Sequence, residues 1–133
     1  MNTFVFPTAM KRLLLVRHAK SDWSKPDLAD HDRPLNKRGM HDAPLMARVW
    51  ARQLDVPDVL VSSTALRAAQ TAKAFAKSWG IQEADIVMDP RLYLAGRRTL
   101  LDAVKNLPDE ARTAALFGHN EGISEFFCWL VDR

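Results

Sequence analysis

Residues 12–18 read Arg-Leu-Leu-Leu-Val-Arg-His, a short apolar run that ends abruptly in two polar residues. Such a run is typical of a strand buried on both faces of a sheet, because it does not alternate polar with apolar side chains. Residues 58–62 and 114–117 have the same layout, and residues 86–88 are a weaker example. We therefore predict strands at 12–16, 58–62, 86–88 and 114–117.

Segments with helical spacing of apolar residues separate these strands. Asn36 is a suitable N-cap for the first segment, and Pro44 predicts a kink or a fresh helix start within it. Ser63 or Thr64 can cap the second segment, which Gly80 is placed to end. Strands that alternate with helices predict an α/β fold, a three-layer α/β/α sandwich with a mostly parallel sheet. The predicted helices span residues 37–54, 65–79, 100–107 and 123–130.

Length and composition indicate a single globular domain, with residues 1–9 as an N-terminal extension and 10–133 as the domain. The chain has 133 residues, of which 47% are hydrophobic and 26% are charged. Its net charge of +3 comes without a basic patch, which argues against nucleic-acid binding. The longest uncharged stretch, residues 2–10, is too short to cross a membrane. Cys128, the single cysteine, lies in an apolar run, so we expect it in the core of a cytoplasmic protein without disulfides.

Polar residues follow the predicted strands at the edge where a parallel sheet places its carboxyl ends. Arg17 and His18 follow the first strand, and His119 follows the last. Arg67 lies near the start of the helix after the second strand. Ligands bind at this edge of such sheets, so the two arginines and two histidines are predicted to converge there. Arginine pairs with phosphate oxygens and neutral histidine can attack phosphorus, so this group predicts phosphoryl transfer without a metal.

A metal site is the main alternative for a chain with four histidines. However, no pair has the spacing of metal ligands on one helix, and guanidinium groups would repel a cation bound beside them. The cluster Asp30-His31-Asp32 is predicted to be a solvated loop, and His41 is predicted to be a surface residue. We therefore expect no metal ion at the site.

Three segments resemble, in order, the motifs of the histidine phosphatase superfamily, which has the phosphoglycerate-mutase-like fold. They are residues 14–18 (Leu-Leu-Val-Arg-His), 62–72 (Ser-Ser-Thr-Ala-Leu-Arg-Ala-Ala-Gln-Thr-Ala) and 118–122 (Gly-His-Asn-Glu-Gly). With Asp-Arg-Pro-Leu-Asn-Lys-Arg-Gly at 32–39, the chain is most similar to SixA-type phosphohistidine phosphatases.

This resemblance implies a role for each residue of the predicted site. His18 would be the nucleophile that becomes phosphorylated, and Arg17 and Arg67 would bind the phosphoryl oxygens. His119 would complete the pocket and stabilise the transition state. Ser62 would either line the pocket or cap the following helix. The resemblance implies neither a metal nor an organic cofactor.

Two departures from the family pattern bear on the substrate and on assembly. The mutase branch has a glutamate before its third motif, whereas residues 92–96 (Leu-Tyr-Leu-Ala-Gly) offer no carboxylate, and Asp22 is the substitute acid we consider. A phosphorylated imidazole leaves with less help from an acid than an alkoxide does, so this departure favours phosphohistidine as substrate. The chain also stops soon after the third motif, where relatives continue into further strands. An unpaired sheet edge there would favour a homodimer.

The expected function is that of a metal-independent phosphatase that forms a phosphohistidine intermediate on His18. Its expected partner is a protein that carries phosphohistidine, and neither nucleic acid nor membrane is expected as a partner. The alternatives are a small-molecule phosphomonoesterase of the same superfamily and a non-catalytic phosphate-binding adaptor.

Overall fold

A four-stranded sheet in which every pairing is parallel forms the centre of the molecule, in the order β1-β4-β2-β3. The computed structural model describes residues 12–132, so the predicted extension at 1–9 lies outside the described residues. All four predicted strands are present. They are β1 (Arg12–Arg17), β2 (Val59–Ser62), β3 (Val87–Met88) and β4 (Thr113–Gly118).

Helices connect the strands, as the apolar spacing predicts. The first helix runs through Pro44 without a break, so a fresh helix start there is not observed. The second begins after Ala65 without a side-chain cap, so the prediction that Ser63 or Thr64 caps it is wrong, and it ends at Gly80 with φ 73°. None of the helices within residues 12–132 is long and apolar enough to cross a membrane. The helices are α1 (Lys37–Gln53), α2 (Leu66–Trp79), α3 (Arg97–Lys105) and α4 (Gly122–Asp132).

Two apolar cores lie on opposite faces of the sheet, which confirms the three-layer sandwich. Successive residues of β4 point to alternate faces, so Phe117 packs with α1 and α2, whereas Leu116 packs with α3 and α4. Phe126 of α4 is fully buried in the second core. Cys128 is exposed, so the prediction that it lies in the core is wrong. The apolar run around it is longer than the single face that a helix can bury, and Cys128 falls on the outer face.

Strand register brings the polar strand ends side by side. Arg17 is paired with Gly118, and Ser62 is paired with Phe117. Two backbone hydrogen bonds extend this alignment past the strands: the N–H of His18 donates to the carbonyl oxygen of Gly118 (3.0 Å), and the N–H of Ser63 donates to that of Phe117 (2.9 Å). The three sequence motifs therefore meet at one edge of the sheet.

Gly39 allows α1 to pack directly beneath the loop that follows His18. A Cβ at this position would lie 2.2 Å from the carbonyl oxygen of Lys20, which also accepts a hydrogen bond from the N–H of Asn36. Since that oxygen belongs to the backbone, it cannot move aside without moving the loop that carries the site.

Replacing Gly39 with alanine is expected to lower the free energy of unfolding by about 1–3 kcal/mol, the usual range for an overpacked site. Alanine is the better helix former, so any loss of stability reports the clash with Lys20. Urea denaturation measures the change, and Arg38→Ala, at an exposed neighbouring position of α1, is the control. Equal stability of Gly39→Ala and wild type would show that the loop moves freely.

Candidate active site

His18 lies directly after β1, with its imidazole held in one orientation. Its Nδ1–H donates to the carbonyl oxygen of Ala19 at 2.6 Å, and because a carbonyl only accepts, the proton must be on Nδ1. The Nε2 atom then carries a lone pair, to which the Nε–H of Arg67 donates at 3.3 Å. Burial lowers the pKa of His18 below its ordinary value of 6.5, and the charges of Arg67 and Arg17 act in the same direction. The ring is therefore neutral near neutral pH, with its proton on Nδ1.

Helix α2 supports the turn after His18. The side-chain oxygen of Thr71 accepts a hydrogen bond from the N–H of Ala19 at 3.0 Å, and its hydroxyl donates to the carbonyl oxygen of Arg67 at 2.8 Å. Thr71 is 2% exposed, so these contacts are protected from water. The same helix thus fixes both the histidine loop and the backbone of the arginine that faces it.

Arg67 reaches the site from the first turn of α2 and is 2% exposed. Besides its contact with His18, it donates from Nη1 to the carbonyl oxygen of Asp30 (2.7 Å) and from Nη2 to the carboxylate of Asp30 (2.9 Å). A buried guanidinium needs a counter-charge, and Asp30 supplies it.

The Asp30 side chain is 42% exposed, as predicted for a solvated loop at Asp30-His31-Asp32, but it also contacts the site, which the prediction did not include. The segment forms a short 3₁₀ turn, and the Asp30 carboxylate accepts hydrogen bonds from Arg67, from Arg33 and from the hydroxyl of Tyr93. The bond from Tyr93 is the largest of the effects that hold its pKa well below the usual range, and the two arginines add to it. Asp30 is thus a carboxylate throughout the physiological pH range.

His119 follows β4 and stands next to His18, with ring centroids 5.2 Å apart. Its Nε2 is 2.8 Å from the hydroxyl oxygen of Ser63, which also accepts the N–H of Ala65. Burial, followed by the charge of Arg67, lowers the pKa of His119 to about 4. Within residues 12–132 its buried Nδ1 has no hydrogen-bond partner. A buried polar atom without a partner, here beside His18, is a feature expected of a ligand-binding position.

The two serines at the end of β2 differ in role from the prediction. The hydroxyl of Ser62 is fully buried and donates to the carbonyl oxygen of Ser63 at 2.9 Å, so it is engaged in local structure. Ser63 contacts His119, although Ser62 was the serine predicted for the site. Adjacent strand residues point to opposite faces, and only the structure shows which of the two reaches the site.

Tyr93 links several parts of the site, although no sequence signal marks it. Its hydroxyl donates to Asp30, and this bond raises the pKa of Tyr93. Its ring meets those of His119 and His31 edge to face, with centroids 5.5 Å and 4.8 Å apart. His31 in turn contacts the hydroxyl oxygen of Thr64 at 2.8 Å. The region that lacks an acid therefore contributes a phenol that is paired with a carboxylate from another segment.

The remaining sequence candidates lie at or beyond the rim. Arg17 is exposed at the end of β1, and its charge contributes to the lowered pKa of His18. Asp22 accepts the N–H of Ser24 at 2.7 Å, and its hydrogen bonds with Ser24 lower its pKa, which disfavours it as an acid. His41 is exposed on α1, as predicted. Among residues 12–132 no cluster of three or more His, Cys, Asp or Glu side chains is arranged to hold a metal ion.

A sequence profile of the histidine phosphatase superfamily (branch 1) matches residues 13–93. The chain belongs to this superfamily. The matched range contains the first two motifs and therefore His18 and Arg67. The third motif, with His119, lies beyond the range, and its place beside His18 is seen in the fold.

Similar proteins support the same membership. An uncharacterised chloroplastic protein of Arabidopsis thaliana is 35% identical over an alignment of 124 positions, which covers 86% of this chain and 56% of that protein. A structure from Agrobacterium tumefaciens, proposed to be the phosphohistidine phosphatase SixA, is 33% identical with a TM-score of 0.82, over 90% of this chain and 75% of that one. A second structure with the same proposed assignment, from Nakamurella multipartitia, is 33% identical with a TM-score of 0.75, over 86% and 62%.

These matches confirm the predicted fold class and the resemblance to SixA-type members of the superfamily. The chain spans between 56% and 66% of the length of the curated relatives it matches.

Proposed function

We propose that the protein is a phosphatase in which Nε2 of His18 attacks phosphorus and becomes phosphorylated. The single observation that carries this proposal is the hydrogen bond from Nδ1 of His18 to the carbonyl oxygen of Ala19, at 2.6 Å. It leaves the lone pair on Nε2, and the lowered pKa of the ring keeps that nitrogen unprotonated near neutral pH.

Arg67, Arg17 and His119 are proposed to bind the phosphoryl oxygens. Arg67 is the buried charge beside Nε2, and a guanidinium matches phosphoryl oxygens better than an ammonium does. His119 offers its unpartnered Nδ1, which carries a proton when the hydroxyl of Ser63 donates to Nε2. Charge stabilisation and positioning are the main requirements of phosphoryl transfer, and these groups supply both without a metal.

The reaction is proposed to proceed in two steps. In the first, the P–N bond of the substrate breaks as the bond from Nε2 of His18 to phosphorus forms. The substrate imidazole, which already carries a proton on its other ring nitrogen, leaves as neutral imidazole, and phosphorylated His18 keeps its proton on Nδ1. In the second, water attacks the phosphorus, the bond to His18 breaks, and inorganic phosphate leaves. The net reaction consumes one water and returns neutral His18.

Phosphohistidine on a protein is the substrate we propose. Asp22 and Asp30 both have lowered pKa values, so neither carboxylate suits the protonation of an alkoxide. An imidazole leaving group depends less on such an acid. The rim also suits a protein partner, because Trp23 is 75% exposed beside the site and stacks on the guanidinium of Arg33, at 3.4 Å from the ring centroid. The homodimer and the cytoplasmic location remain predictions from the sequence.

A turnover assay in EDTA, with a phosphohistidine-bearing protein compared against p-nitrophenyl phosphate, tests this proposal. Release of phosphate from the protein at a higher kcat/KM supports the protein phosphohistidine phosphatase. Preference for p-nitrophenyl phosphate would favour the small-molecule phosphomonoesterase. Binding of phosphate without turnover of either substrate would favour the non-catalytic adaptor.

The rate of His18 phosphorylation is expected to fall with decreasing pH only below the pKa of the ring, which lies below its ordinary value of 6.5. The sign follows from protonation, which removes the attacking lone pair as the pH falls. NMR titration of His18, with the urea-unfolded chain as the control near the ordinary value of about 6.5, measures the shift directly. A midpoint above that of the unfolded chain would contradict the proposal that burial and the arginines keep the ring neutral.

A further inference from the structure

Among the residues that the structure describes, Asp30 makes the largest number of hydrogen bonds with Arg67. Its carbonyl oxygen and its carboxylate accept hydrogen bonds from two nitrogens of Arg67, at 2.7 and 2.9 Å. The third nitrogen of Arg67 contacts His18 at 3.3 Å. A guanidinium has five N–H groups, so these three bonds orient Arg67 and leave two donors for phosphoryl oxygens.

Arg33 gives Asp30 a second anchor, because it binds the carboxylate oxygen that Arg67 does not. Arg33 is 6% exposed and donates from Nε to the Asp30 carboxylate at 3.2 Å. Its Nη1 donates to the hydroxyl of Ser21 and to the carbonyl oxygen of Asp22, both at 3.0 Å. The backbone N–H of Arg33 also closes the 3₁₀ turn onto the carbonyl oxygen of Asp30. Asp30 is thus a fixed point against which Arg67 is held.

Tyr93 extends the same arrangement to the second histidine. Its hydroxyl is bound to the Asp30 carboxylate while its ring packs edge to face on His119, with centroids 5.5 Å apart. One carboxylate therefore contacts the groups that define the positions of both Arg67 and His119.

We propose that Asp30 is a positioning residue that holds Arg67 beside Nε2 of His18 and, through Tyr93, sets the place of His119. This inference rests on the proposed function and adds a residue to it. A role for Asp30 as a proton donor is disfavoured, because its lowered pKa leaves it without a proton in the working range.

Asp30→Asn tests the inference, with Asp32→Asn as the matched control on the same 3₁₀ turn. The side chain of Asp32 is 67% exposed, and within residues 12–132 its only ion-pair partner is His31. Asp30→Asn is expected to lower kcat for p-nitrophenyl phosphate about 10- to 100-fold, the range for a displaced catalytic group. KM is expected to change less than kcat, since the carboxylate contacts Arg67 and not the substrate. Asp32→Asn is expected to match wild type.

A double-mutant cycle separates positioning from a general effect on structure. In an Arg67→Ala background the Asp30→Asn change is expected to lower the single-turnover phosphorylation of His18 by phosphoramidate less than it does in wild type. Arg67 is then gone, and only the effect through Tyr93 and His119 is left. Equal losses in both backgrounds would overturn the inference. An Asp30→Asn protein as active as wild type would also overturn it. A more active variant would overturn it too, because it would show that Asp30 competes with the phosphoryl group for Arg67.

Absence of turnover in wild type would count against the proposed function. Hydrogen exchange at the Nε–H of Arg67 would still test the inference in that case. Slow exchange in wild type and faster exchange in Asp30→Asn, but not in Asp32→Asn, supports positioning. Equal exchange in all three proteins overturns it. If Asp30→Asn does not fold, Tyr93→Phe is the alternative variant, because it removes only the hydroxyl that binds the Asp30 carboxylate. Tyr93→Phe is expected to lower kcat as well. An unchanged kcat would overturn the link through Tyr93.

Discussion

Replacing His18 with alanine is expected to abolish the turnover of both the phosphohistidine-bearing protein and p-nitrophenyl phosphate. The alanine protein has no atom to take the place of Nε2, so no covalent intermediate forms and only the uncatalysed reaction remains. Rapid quench at alkaline pH, where phosphohistidine is stable, should trap phosphorylated His18 in wild type and no phosphoenzyme in the variant.

His41→Ala is the matched control, because His41 is an exposed histidine of α1 outside the site. It is expected to retain the wild-type rate and to form the same phosphoenzyme. Retention of more than about a tenth of the wild-type rate by His18→Ala would contradict a nucleophilic role, since loss of a nucleophile typically lowers kcat by several orders of magnitude. Phosphoenzyme in that variant would point to another residue.

Arg67→Ala is expected to lower kcat/KM by about 100-fold or more, the usual effect of removing one donor that stabilises transition-state charge. The effect has a second source, because the substitution also removes the hydrogen bond to Nε2 of His18 and one of the two buried arginines that pair with Asp30. Steady-state kinetics measure the loss.

Two further variants show whether that loss comes from the site or from a damaged fold. Arg67→Lys retains the charge but not the planar fork, so it is expected to recover only a small part of the activity. Arg52→Ala removes an exposed arginine from the last turn of α1, which leads into the start of β2 at the edge of the sheet opposite the site, and it is expected to behave as wild type. Full activity of Arg67→Lys would show that the charge alone suffices and would contradict the bidentate role proposed for Arg67. Urea denaturation of each variant reports whether the fold is intact.

The strands and helices were predictable because their signals are local. The uninterrupted apolar run before Arg17 and the Gly80 stop signal each depend on neighbouring residues alone, and the structure places strand and helix ends close to the predicted positions. The local signal failed at Cys128, since hydrophobicity does not report which face of a helix meets the core. It also failed at Ser63 and Thr64, which lie before the helix that they were expected to cap.

The candidate site was predictable only where one topological rule applied. His18 and His119 follow parallel strands, so their meeting follows from the order of strands and helices. Asp30 comes from a turn between β1 and α1, and no pattern in the chain connects it with Arg67, which lies 37 residues away. The sequence around Tyr93 showed only that residues 92–96 contain no carboxylate. It did not indicate that the hydroxyl of Tyr93 binds the Asp30 carboxylate.

The amino-acid sequence by itself determined the α/β architecture and the arginines and histidines predicted at the strand ends. The signals for strands, helices and strand ends depend on residues that are contiguous in the chain. The tertiary structure alone decided which nitrogen of His18 is free, which serine meets His119, and that Asp30 holds Arg67. Each of these depends on a hydrogen bond whose direction and length are set by how separate segments pack. Such contacts require angstrom-scale geometry that spacing along a chain does not contain.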